Sequence, residues 1–205
     1  MSMHQSRVVA LNDLTQLTLR ANVAFAVRCA HRIRPCFELP VDAPRRREQL
    51  AAVDGAIRVA TAFCKGLPSE AGRAAAAVGM AVAVAEETCE YTRYAGYAAV
   101  RAAEAAANAE EVVRNPSDLG IIEVVAAAFG AGRVLAANAD AHTLELVAAA
   151  LYADVEKLRE QSPGSNEDLG PPMDPSESGP LGPLWPDGAP DWYAEKKGRL
   201  PGAVE

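Results

Sequence analysis

Aromatic residues are scarce. Phe, Trp and Tyr make up 5% of a chain that is 50% hydrophobic. Alanine fills much of the difference, so a core built from this sequence is thin and helix axes must approach closely. Histidine is scarcer still. His4 lies near the start, and neither His31 nor His142 follows a Glu by three residues, which excludes the Glu-x-x-His ligand pairs of a di-iron helical bundle. No Gly-rich loop ends in Lys-Ser or Lys-Thr, which removes P-loop phosphate binding. Gly130-Ala131-Gly132 begins like a dinucleotide fingerprint, but no strand precedes it and Leu135 stands where the third Gly belongs. Ala126 and Gly130, one turn apart, instead predict close approach of another helix.

Cysteine is limited to Cys29, Cys36, Cys64 and Cys89, each in an apolar helical context. Met1–Asn12 is polar and mixed, unlike a secretory signal. Reduced core thiols in a cytoplasmic protein are therefore expected rather than a disulfide framework. Cys29, His31 and Cys36 do not form a zinc set, because His31 points about 200° from Cys29 on a helix. No metal or cofactor is expected. The longest uncharged run, Ala74 to Ala85, is too short for a bilayer span, so no membrane role follows.

The net charge of −7 argues against a general polyanion binder. Its distribution is uneven, with residues 1–48 carrying +4 and the remainder −11. Arginines 28, 32, 34, 45, 46 and 47 form the basic end. No aromatic interleaves them for base stacking, so nucleic acid is disfavoured and an acidic protein surface or a second copy of the chain fits better.

Helical periodicity runs from Arg7 to Arg34, with Leu14, Leu17, Ala21, Phe25 and Cys29 on one face, until Pro35 stops it. It resumes over Arg46–Lys65, where Gly66 is a natural stop. Ser69–Asn115 contains no Pro and much Ala; as one rod it would span about 70 Å, so a break is expected within Cys89–Gly96. Leu119–Ala137 and Ala141–Glu160 follow, the latter capped by Asp140, with Leu144, Val147, Leu151, Val155 and Leu158 toward the core. The expected fold is an all-α, Ala-rich bundle of about six helices over residues 1–162. Nine of the 14 prolines fall in residues 163–205. That segment reads as a flexible, extended tail in which Leu184, Trp185, Trp192 and Tyr193 mark a docking stretch at 181–193.

Two groups of residues are candidates for binding. Glu86, Glu90, Tyr94 and Arg101 form the best polar constellation, with Glu86 and Glu90 stacked at i, i+4, and would serve a small ligand or an enzyme. Arg28, Arg32, Arg45, Arg46 and Arg47 with Trp185, Trp192 and Tyr193 would serve a protein partner. No catalytic set emerges.

The stretch Leu17 to Glu38 (LTLRANVAFAVRCAHRIRPCFE), followed by Arg46 to Gly66 (RREQLAAVDGAIRVATAFCKG), resembles the opening of the all-helical immunity proteins of bacterial polymorphic-toxin systems. The likeness covers roughly residues 14–110. Sixteen Arg against four Lys fit a GC-rich bacterial genome. The resemblance implies a cytoplasmic, non-enzymatic binder of a protein partner. The expectation is accordingly a helical protein-interaction module, with the ligand-binding or enzymatic alternative placed at Glu86–Arg101.

Overall fold

The computed structural model describes residues 9–67, 90–137 and 141–197. Among them the chain is all-helical, with seven helices and no strand: α1 Leu11–Leu14, α2 Leu19–Ile33, α3 Arg46–Cys64, α4 Glu90–Arg114, α5 Asp118–Ala137, α6 Ala141–Gln161 and α7 Asp191–Lys197. A 3-10 turn, Arg34–Cys36, follows α2 because Pro35 cannot continue the α-helical ladder.

Helix α2 is the axis of the molecule. It packs against α3, α4, α5 and α6, and every residue from Ala21 to Ala30 is buried. Periodicity assigned it one apolar face. The structure buries its polar side as well, because Asn22, Arg28 and Arg32 each find partners inside.

The expected long helix from Arg7 is interrupted between α1 and α2. Thr18 begins the second helix as its N-cap, accepting from the Ala21 amide at 3.4 Å. Asn22 Nδ2 donates to the carbonyls of Leu14, Leu17 and Thr18 at 3.0–3.1 Å, tying the two sides of the break together; those of Leu14 and Thr18 also accept from the amides of Leu17 and Asn22. Further along, α4 runs unbroken from Glu90 through Gly96, so the expected break does not fall within that stretch. The expected start at Ser69 and the Asp140 cap lie outside the described residues.

Alanine sets the packing of α4 on α5 and α2. Ala95, Ala98, Ala99, Ala102, Ala105, Ala106 and Ala109 are buried along α4, and Ala127, Ala128 and Ala131 face inward from α5. Of the helix approach predicted at Ala126 and Gly130, only Gly130 takes part: an added Cβ there would stand 3.2 Å from Arg101 Cδ of α4, whereas Ala126 is exposed. A second close approach falls at Gly132, where an added Cβ would stand 3.3 Å from Phe25 Cε1. Leu144 is also corrected. It is 41% exposed in the first turn of α6, whereas Val147, Leu151, Val155 and Leu158 are buried as expected.

From Ser162 the chain has no regular structure until α7, as the prolines require, yet it lies along the bundle. The carbonyls of Asp168 and Leu169 accept from the amides of Leu19 and Arg20 at 2.8 and 2.9 Å, capping the start of α2. Thr18 and Ser162 hydroxyls meet at 2.6 Å beneath this join. Gly170 has φ +78°, and an added Cβ would collide with Thr18 Oγ1 at 2.2 Å. The Met173 amide donates to Cys64 O at 2.8 Å, closing the end of α3, where Gly66 has φ +68°. Met173, Leu181, Leu184, Trp185 and Tyr193 are buried. Leu184, Trp185 and Tyr193 pack within the chain's own core, and the carbonyls of Asp168 and Leu169 are hydrogen-bonded to the start of α2.

Candidate functional site

Arg28 and Arg32 lie one turn apart on α2 and share the carboxylate of Asp154 on α6. Arg28 Nε donates to Oδ1 at 2.8 Å and an Arg32 terminal nitrogen to Oδ2 at 2.5 Å. Both guanidiniums are 0% exposed, so two cations face one anion away from water. The remaining donors are taken by carbonyls of the C-terminal segment. Arg28 reaches Pro175, Gly182 and Pro183 at 2.8–3.2 Å, and Arg32 reaches Leu184 from two nitrogens at 2.6 and 2.8 Å. Arg32 also sits 5.5 Å from the Trp185 ring centroid. Without those carbonyls, two buried cations would have a single counter-ion and several empty donors.

Above this clamp, where α2 ends, a cleft of about 420 Å³ opens between the bundle and the C-terminal segment. His31, Arg34, Ser176, Glu177, Ser178, Tyr193 and Lys197 supply its polar and aromatic groups, over Pro35 and Leu184. Burial lowers the His31 pKa, and the negative charge of Glu177 opposes that shift. Burial raises the Tyr193 pKa, reinforced by the Glu177 carboxylate that accepts its hydroxyl at 3.2 Å. Lys197 pairs with Glu177 at 3.1 Å, and Arg34 makes a two-pronged pair with Asp54 at 2.5 and 3.0 Å. Glu177, Tyr193 and Lys197 are thus engaged with one another, while Arg34 is tied to Asp54 outside the cleft. They hold α7 and the 174–184 loop on the end of α2.

The basic group seen in the sequence is divided by the fold. Arg28 and Arg32 are internal, Arg34 is tied to Asp54, and Arg46 donates to Leu39 O at 3.1 Å. Arg45 and Arg47 are exposed, and Arg45, in a left-handed conformation with φ +60°, pairs with Glu48. These six arginines do not form one continuous exposed stripe. Trp185, Trp192 and Tyr193 contact one another edge-on, with centroids 5.5–6.1 Å apart; Trp185 and Tyr193 are buried and Trp192 is half-buried. Their apolar surface is largely spent within the chain.

In the other candidate group, Glu86 and the Glu90 side chain lie outside the described residues. Tyr94 is half-buried against the core. Arg101 is exposed, lies over Gly130, and pairs with Glu104 at 2.8 Å. Neither lines the cleft.

A surface that sequence reasoning passed over is the outer face of α5. Val124, Val125, Ala128, Ala131 and Leu135 point inward, while Leu119 and Ile122 are 66% and 62% exposed, followed by exposed Ala126. Glu123 and Arg133 are its exposed charges. The helix is apolar on both sides, so much so that its length and composition would suit a membrane crossing, although its inner face packs on α2 and α4. The signal was legible: Leu119, Ile122 and Ala126 recur at helical spacing outside the inward-facing stripe.

Fold and site together define an all-α helical bundle whose C-terminal segment is woven into its core. Comparison with known protein families, curated proteins and solved structures finds no match.

Proposed function

We propose that the chain is a non-enzymatic helical protein-interaction module and that the outer face of α5 is its binding surface. The observation carrying this reading is the pair of large aliphatic side chains, Leu119 and Ile122, left about two-thirds in water on a helix whose opposite face is core. Isolated exposed apolar residues are ordinary, but a row of them on one helix face favours a protein contact. Within the cleft, Glu177 is held by Tyr193 and Lys197 and serves to fix α7 on the end of α2, which favours a structural part for it. An immunity-like component of a bacterial conflict system, cytoplasmic and acting by occupancy, is the role this reading fits, supported by the resemblance of residues 14–110.

The test is affinity capture from the native host with the full chain and with a Leu119→Glu/Ile122→Glu variant. The expected result is that the native chain retains a protein, of its own or another sequence, that the variant loses while its thermal midpoint holds. Retention of the same proteins by both would contradict the reading.

A further inference from the structure

We infer that the occupant of the α5 face is a second copy of the chain, bound across a two-fold axis with the two α5 helices antiparallel. This rests on the reading of that face as a protein-binding surface and adds the partner's identity.

The argument is charge complementarity within the stripe. Glu123 and Arg133 are the only charges α5 itself carries between Leu119 and Ala137; Arg101 of α4, which lies over Gly130, is paired with Glu104, whereas neither Glu123 nor Arg133 has an ion-pair partner among the described residues. They stand ten residues apart, about 15 Å along the helix. A parallel pairing of two copies sets Glu123 beside Glu123 and Arg133 beside Arg133. Reversing one helix about a point between the two residues brings each to the level of its opposite on the partner, twice per dimer.

Sedimentation velocity of the full purified chain over a dilution series tests this. The expected native species has twice the monomer mass of 21.5 kDa and dissociates on dilution. Leu119→Glu/Ile122→Glu should be monomeric with an unchanged helical spectrum. Glu123→Arg and Arg133→Glu should each weaken dimerisation by about tenfold or more through like-charge contacts, and the double variant Glu123→Arg/Arg133→Glu should regain it. A native chain that is monomeric throughout overturns the inference, and capture of a different protein by the same face would then leave the wider reading standing. A dimer that survives the Leu119/Ile122 variant, or whose charge reversals are not rescued in combination, also overturns it. If residues 68–89 of the same chain cover the face, the native chain is monomeric and the Leu119/Ile122 variant unfolds earlier, and the second copy is again excluded.

Discussion

Asp154 balances two buried guanidiniums, so its removal leaves like charges beside each other with no anion. Breaking one side of a buried pair costs about 3–5 kcal/mol. Asp154→Asn, nearly the same shape without the charge, should therefore lower the stability read from urea denaturation by an amount in that range. An unchanged midpoint would mean that the arginines turn outward. The thiols report on the same core. Burial raises the Cys29 pKa to about 12 and the Cys36 pKa to about 11, and it raises that of Cys64 as well. Thiolate is the reactive form, so Cys29 and Cys64 should resist iodoacetamide at pH 8 in the native protein and react once it is unfolded, with Cys36, partly exposed, the first to yield. Rapid native labelling of Cys29 or Cys64 would contradict the packing around α2. His31 gives a pH dependence. Its folded pKa lies below the ordinary 6.5, so the unfolded chain takes up a proton first. Its contribution to stability is complete above about 6.5 and is lost as pH falls from there toward the folded value. His31→Gln should flatten that part of the stability profile.

At the scale of elements, the start of α2 depends on residues far away in sequence. Gly170 is the sensitive point, since any side chain there meets Thr18 and must also hold φ +78°. Gly170→Ala should cost about 1–3 kcal/mol, measured as a drop in denaturation midpoint. An equal midpoint would show that the join to α2 can open freely. How much of this the sequence discloses depends on the kind of signal. Periodic apolar residues place α3, α5 and α6 within a residue or two of their observed limits, because burial on one face repeats every turn. Thr18 as a cap is hidden, since Leu14 and Leu17 continue the period across the break. The pairing of Arg28 with Asp154 spans 126 residues and no local pattern announces it. The same blindness put Arg28 and Arg32 on the surface, where charge alone assigns them. The proline-rich segment has no period at all, so composition gives its lack of helix but not its route along α2.

For the whole molecule, two surfaces compete for the role of binding site, and their chemistry separates them. The cleft at the end of α2 contains the paired charges of Glu177 and Lys197, and one wall of it is the segment that the arginine clamp holds. The α5 face is apolar, exposed and without such partners among the described residues. The proposed binding surface is therefore α5, with the C-terminal segment packed as part of the scaffold. Trp185 and Trp192 make that visible in solution. Their burial and half-burial predict blue-shifted emission in the full chain and a red-shifted spectrum in an isolated 163–205 peptide. The most direct measurement of the central claim is thermal denaturation, followed by circular dichroism, of a chain ending at residue 162 beside the full chain. Loss of the segment removes the carbonyls that cap α2 and those that satisfy Arg28 and Arg32. The predicted result is loss of the cooperative transition, or a midpoint many degrees lower. A shortened chain that melts as cooperatively and at the same temperature as the full one would contradict it.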